Sequence, residues 1–245
     1  MLKRALGRIL LQDFCPRCFW FTEKFRLVQE HPYYSPPPRV VSIGDKYIKR
    51  VVRVHLTKNK NLPGWLFTQL NNSYFTFSFK NIKHIKTRKW RAHLFDNCCI
   101  LSGEADEIFE FPNGKWFIVD YKLTPFLDAQ QNLLPKYEAQ LNAYAYLAQK
   151  LDKKEIAGLA LIYFEPQYKW DEIKDEQILN FTEEQFIWSF KCTVVPIKFK
   201  GLEWIELLCK QVYQILSKEK PPEGKSNCKG CESLNKWYNE IKKYL

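Results

Sequence analysis

Long apolar runs are missing from this sequence. Nowhere in its 245 residues does one approach the ~20 residues a helix needs to cross a bilayer. The first residues, Met1-Leu-Lys-Arg-Ala-Leu-Gly-Arg-Ile-Leu-Leu-Gln-Asp13, are basic, but their apolar stretch is too short and broken for a secretory leader. The sequence therefore reads as cytoplasmic, with no membrane partner. Repeats and low-complexity tracts are absent. Nine Gly, thirteen Pro and eighteen Phe are not the usage of a collagen-like or disordered chain. No Gly-x-x-x-x-Gly-Lys-Ser/Thr loop is present, so triphosphate-driven helicase work would have to come from a partner. Neither His-Glu-x-x-His nor His-x-Glu with Pro-Cys-x-x-Cys occurs, which excludes the common zinc peptidases and deaminases.

Acid is scarce in one place. Residues 39–94 carry thirteen Lys/Arg and a single acid, Asp45. The rest of the chain is close to balance, so this segment carries essentially all of the formal net charge of +11. Such a segment attracts polyanions, nucleic acid first. Lys46, Lys49, Arg50 and Arg53 fall at helical spacing, and Lys83, Lys86, Arg88, Lys89 and Arg91 follow further on. Trp65, Tyr74 and Trp90 lie among them, and basic residues with aromatics suit single-stranded nucleic acid, whose backbone takes charge and whose bases stack, although in a chain this rich in aromatics the three read first as core residues. Nothing in the segment suggests sequence readout.

Eight cysteines are too few for a disulfide scaffold of this length. Two pairs stand out by spacing, Cys15-Pro-Arg-Cys18 and Cys228-Lys-Gly-Cys231. Each can place two sulfurs on one metal, and a shared site would staple the two ends of the chain. Four thiolates suit either tetrahedral Zn²⁺ or a 4Fe–4S cluster.

Periodicity sets out the elements. Residues 1–30 read as a helix with the first cysteine pair set in it, through Leu6, Ile9, Leu10, Phe14, Phe19, Trp20, Phe21 and Phe25. Residues 31–43, with His31-Pro-Tyr-Tyr-Ser-Pro-Pro-Pro38, read as a loop, and a basic helix follows from Gly44. The alternation from Asn72 to Phe79 reads as a strand. Cys98 to Phe111 and Lys115 to Lys122 read as two strands joined at Pro112-Asn-Gly114, a strong hairpin signal. A helix over 128–151, strands over 156–164 and 193–199, and helices over 202–216 and 234–244 complete the pattern.

Chemistry collects on the hairpin. Asp106 lies on its first strand, in Gly103-Glu-Ala-Asp106. Asp120-Tyr-Lys122 ends the second, and two-residue spacing turns Asp120 and Lys122 to one face. Asp120 follows Phe117-Ile-Val119, where a charge needs a partner or an ion. Two carboxylates together suit a hard cation such as Mg²⁺ or Mn²⁺. On the following helix Gln140 and Tyr144 share a face at i and i+4.

Gly-x-x-Asp, Asp-x-Lys and Gln-x-x-x-Tyr in this order resemble the PD-(D/E)XK nuclease superfamily, in its RecB-like branch with the CRISPR-adaptation exonucleases. The resemblance rests on about residues 98–164 and on the terminal cysteines. It implies an α/β fold with a restriction-endonuclease-like core, a mixed central sheet flanked by helices. A basic lobe over 1–95, holding Cys15 and Cys18, would precede a nuclease core over 96–245, the two forming one compact unit with termini joined at a cysteine-ligated metal. It implies Asp106, Asp120 and the Tyr121 backbone carbonyl as ligands of Mg²⁺ or Mn²⁺, Lys122 as the catalytic lysine, and Gln140 and Tyr144 as site residues. The implied function is a deoxyribonuclease, an exonuclease on single strands or DNA ends, serving repair, recombination or CRISPR adaptation, with a helicase or CRISPR-adaptation protein as partner. At the cysteines Cys15, Cys18, Cys228 and Cys231 it implies a 4Fe–4S cluster, with Zn²⁺ the alternative. Members of this branch carry one cysteine near the amino end and three near the carboxyl end, and Trp237 stands where the last would be. The branch also carries Gly-x-x-x-His in an early helix, where this chain has Gly44 and Ile48, with His55 out of register. That departure leaves a second reading, a catalytically weak, metal-stapled nucleic-acid-binding module of a larger complex.

Overall fold

A computed structural model describes residues 2–5, 15–25, 39–73, 75, 77–96, 99–126, 133–167 and 189–244. Residues 31–38 of the expected loop at 31–43, the apolar positions Leu6, Ile9, Leu10 and Phe14, and the start of the helix at 128 lie outside the described residues. Residues 39–43, read as the end of that loop, are helical instead, because the prolines stop at Pro38 and nothing after them bars a helix. The amino-terminal elements are β1 (Leu2–Ala5), α1 (Pro16–Phe25), α2 (Arg39–Asn59) and α3 (Gly64–Asn72). Five strands follow: β2 (Lys83–Ile85), β3 (Trp90–Leu94), β4 (Cys99–Gly103), β5 (Glu107–Glu110) and β6 (Trp116–Leu123). Then come α4 (Leu134–Leu151), β7 (Ile156–Pro166), β8 (Phe190–Ile197), α5 (Leu202–Leu216) and α6 (Lys229–Lys242).

Contacts group the chain into two units, each built from separate segments. One comprises residues 1–37, 90–103 and 200–245, the other 38–89 and 104–199. The division at residues 95 and 96 that the resemblance implies runs along the sequence, whereas each of these units gathers separate segments.

The second unit carries the mixed sheet, in the order β2-β5-β6-β7-β8. β6 and β7 run parallel with α4 as the crossover between them, and the other pairs are antiparallel. The β5–β6 hairpin turns where Asn-Gly predicts. The Gly114 N–H donates to the Phe111 carbonyl at 2.8 Å, and Gly114 takes φ of 79°, which a side chain would resist. One face of the sheet presents Phe117, Val119, Tyr121, Ala160, Ile162 and Phe164 to a buried cluster with Val52 and Leu56 of α2 and Leu66 and Leu70 of α3. The opposite face, with Asp120 and Lys122, meets α4, where Gln140 bonds to Asp120. From Leu141 to Ala148 every residue of α4 is buried, so this part of the helix is enclosed on all sides.

Two strand expectations here need correction. Among the described residues of 72–79 none is in a strand, and Asn72 closes α3. Phe75, Phe77 and Phe79 nonetheless sit together, Phe75 and Phe79 each 4.9 Å from the Phe117 ring and Phe77 4.9 Å from Phe111. Period-two alternation records an extended segment with one buried side, and does not require a hydrogen-bonded partner. The continuous strand read from Cys98 to Phe111 is two strands. β4 pairs with β1 and β3, β5 with β2 and β6, and the break falls at Glu104–Asp106.

The first unit holds the three-stranded sheet β1-β4-β3, with β1 parallel to β4 and β3 antiparallel to it. Leu2–Ala5 is thus a strand and not the start of a helix, because it finds a long-range partner in Cys99–Ser102 that a local pattern cannot show. α5 buries Ile205, Cys209, Val212 and Leu216, a stripe at helical spacing. The Trp20 indole N–H of α1 donates to the Lys218 carbonyl at 3.0 Å. No described helix is long and apolar enough to cross a membrane.

Candidate active site and a four-cysteine cage

Asp106 lies in the bend just before β5, so it is held by backbone rather than by a strand's regular alternation. Its Oδ2 accepts the backbone N–H of Tyr121 at 2.9 Å, which ties it across the hairpin to β6. Its Oδ1 accepts the Lys49 ammonium of α2 at 2.8 Å, and the same ammonium reaches Asp45 Oδ2 at 2.7 Å. Burial opposes the charge on Lys49, but its contacts with Asp106 and Asp45 outweigh it and hold the ammonium above its ordinary pKa.

Asp120 is almost wholly buried on the opposite sheet face from the aromatic cluster. It forms an ion pair with Lys122, two residues on, and accepts the Gln140 side-chain amide at 3.1 Å. Gln140 also donates to the Tyr144 hydroxyl at 2.9 Å, so α4 contributes its i, i+4 pair to this point as the sequence predicts. The Lys122 ammonium sits 4.4 Å from the centre of the Tyr137 ring. Burial pushes the Asp120 carboxyl up to about 6. Lys122 opposes that rise, and the charge of Asp106 adds to it. Burial and the charge of Asp120 likewise raise Tyr144 above its ordinary value.

The structure thus brings together Asp106, Asp120, Lys122, Gln140 and Tyr144. The carboxylates and the Tyr121 carbonyl are hard oxygen donors. A buried carboxylate whose charge the neighbouring lysine leaves incompletely balanced is an environment that a divalent cation would relieve, so these residues fit Mg²⁺ or Mn²⁺. His55 stands apart, its Nδ1 2.9 Å from the Asn61 carbonyl.

Several expected nucleic-acid contacts are occupied inside the protein. Lys49 is committed to Asp106 and Asp45. Arg53 grips the fully buried Glu107 carboxylate, with Nε 3.1 Å from Oε2, and donates from Nη2 to the Asp106 carbonyl at 2.9 Å. Arg88 pairs with Asp152. Lys46, Arg50, Lys83, Lys86 and Lys89 are exposed on the second unit, and Arg91 is exposed on β3 of the first. Glu107, which also has His84 Nε2 2.6 Å from its Oε1, went unread in the sequence. Its signal was there: an acid opening the apolar run Ile108-Phe109 must be paired when the strand is buried.

In the first unit, Cys15, Cys18, Cys228 and Cys231 come together with all four sulfurs within 4.8 Å of one another, a group that could hold a metal. Cys15 precedes α1 and Cys18 lies in its first turn, while Cys228 caps α6 and Cys231 lies in its first turn, so two helix starts converge. Burial opposes ionisation of Cys15, but N–H groups of Cys18 and Lys225 directed at its sulfur bring the thiol down to about 6. Burial and hydrogen bonding to Cys231 push Cys18 the other way.

The family model of the PD-(D/E)XK nuclease superfamily matches residues 15–235. No curated protein matches the sequence. Among solved structures, one titled "Crystal structure of SSO0001" aligns at 15% identity and a TM-score of 0.46, covering 89% of this chain and 78% of that one.

Proposed function

This chain belongs to the PD-(D/E)XK nuclease superfamily, and we propose that it is a divalent-metal-dependent deoxyribonuclease, acting as an exonuclease on single strands or DNA ends. The observation that carries this reading is the hairpin. It sets Asp106 and the Asp120–Lys122 pair at one place and faces Asp120 with Gln140 and Tyr144. Asp106, Asp120 and the Tyr121 carbonyl would hold the cation, which when bound supplies a water of lowered pKa and offsets charge on the phosphate. Lys122 orients the attacking water and stabilises the negative charge that develops on the phosphate oxygens. Gln140, bonded to both Asp120 and Tyr144, fixes the carboxylate's rotamer. Lys49 can keep Asp45 as its partner when Asp106 turns to the metal.

The test is incubation with end-labelled single-stranded and duplex DNA, with Mn²⁺, Mg²⁺ or EDTA. Metal-dependent shortening from an end, absent in Asp106→Ala, is the expected result. Cutting that persists in EDTA or in the variant would remove the hairpin from the mechanism.

One observation favours the catalytically weak reading. Ile48 stands where the branch carries its histidine, and the neighbouring Lys49 places its ammonium on Asp106. DNA binding without cutting in every metal would select it.

Exposed basic residues serve either reading. Affinity for single-stranded DNA should fall by about tenfold or more over a fourfold rise in salt and be indifferent to sequence. Replacing Lys46 and Arg50 by alanine should lower the log–log salt slope by about 2. A slope unchanged in fluorescence-anisotropy titrations would place the contacts elsewhere.

A further inference from the structure

The resemblance implies a 4Fe–4S cluster at the terminal cysteines, and the cage does not fit one. Cys15 Sγ lies 3.4 Å from Cys231 Sγ, and Cys18 Sγ lies 3.5 Å from Cys231 and 3.7 Å from Cys228. These contacts are far longer than a disulfide bond of about 2.05 Å, so the thiols are unbridged. A zinc ion bonded tetrahedrally to four sulfurs at about 2.3 Å sets them about 3.8 Å from one another. A cubane places four irons and four sulfides between the same thiolates and spreads them well beyond that. The walls repeat the message. A Cβ at Gly224 would lie 2.6 Å from Cys231 Sγ and 3.6 Å from Cys15 Sγ, and one at Gly230 would lie 2.9 Å from Cys18 Sγ. The backbone at both glycines is thus pressed against the sulfurs with no room for a side chain. Trp237, where the branch has its last cysteine, is half exposed and offers no thiolate.

We propose that Cys15, Cys18, Cys228 and Cys231 bind a single tetrahedral Zn²⁺. Each thiol gives up its proton to solvent as it becomes a zinc thiolate. Four sulfurs leave no open position, so the ion is structural and joins the start of α1 to the start of α6.

The experiment is anaerobic isolation of the full chain from cells grown with both iron and zinc. Metal analysis, acid-labile sulfide and the visible spectrum are then read together, with X-ray absorption at the zinc edge. Expected are about one zinc per chain, a shell of four sulfurs at about 2.3 Å, and no visible absorption from a cluster. Cys228→Ser should lower zinc content at least severalfold, while Cys192→Ser, on β8, should leave it unchanged. Iron with acid-labile sulfide would overturn the proposal. So would a metal-free protein, or zinc bound through nitrogen and oxygen. The X-ray shell is read on the unmodified chain, so the proposal remains testable even where Cys228→Ser fails to fold.

Discussion

Lys122→Ala is expected to cut DNA between about a hundredfold and ten-thousandfold more slowly than the unmodified chain at saturating metal. The size of the effect follows from position. Among the described residues Lys122 is the cation that pairs with Asp120, and its ammonium is half-enclosed between that carboxylate and the Tyr137 ring. The nearby Lys49 ammonium is held by Asp106 and Asp45 and acts on Asp120 only through its charge. Affinity for DNA should change little, because one ammonium among several exposed basic residues contributes a small part of the phosphate attraction. The measurement is single-turnover cleavage beside equilibrium binding. A rate within about threefold of the unmodified chain would rule out a charge-stabilising role in the chemical step.

Asp120→Asn is expected to do two opposite things: abolish metal-dependent cutting and raise stability at neutral pH. The folded state holds the Asp120 carboxyl up at about 6, against an ordinary value of 3.8, chiefly through burial. Between those values the folded state keeps a proton that the unfolded chain releases, so stability falls as pH rises through the window. The penalty is complete above pH 6 and is at most about 3 kcal/mol. An asparagine retains the shape and has no charge to bury. In urea unfolding, the unmodified chain should lose stability from pH 4 to pH 7, and the variant should lose less. The gain at pH 7 should be about 1–2 kcal/mol, since Lys122 then loses its partner. Mg²⁺ should restore stability to the unmodified chain at pH 7 and do less for the variant. Equal pH profiles would show that the Lys122 ion pair already balances the buried charge.

Much of this site was legible because its signals are local. Asn113-Gly114 announced the turn, two-residue spacing put Asp120 and Lys122 on one face, and four-residue spacing did the same for Gln140 and Tyr144. The 202–216 helix matched its pattern end to end. What failed depended on partners distant in the chain. Leu2–Ala5 became a strand only by lying beside Cys99–Ser102, and the described residues after Asn72 up to Phe79 are in no strand although their aromatic rings are packed. Lys49 and Arg53 looked like solvent-facing charge because their acids, Asp106 and Glu107, stand more than fifty residues further on. A helical face with cations at i and i+4 reads the same whether it meets solvent or a buried carboxylate.

The interleaving of the two units also fixes an order of events during synthesis. All residues of the sheet that carries Asp106 and Asp120 have been made by position 199, so that unit can collapse while the ribosome is still at work. The other unit cannot finish then. Its first thiols emerge at Cys15 and Cys18, and their partners emerge only at Cys228 and Cys231, after the whole of the inserted unit. Until then the early pair lacks the two sulfurs beside which it lies in the folded chain. Bringing them together joins residues more than two hundred positions apart, a closure expected to come late in folding.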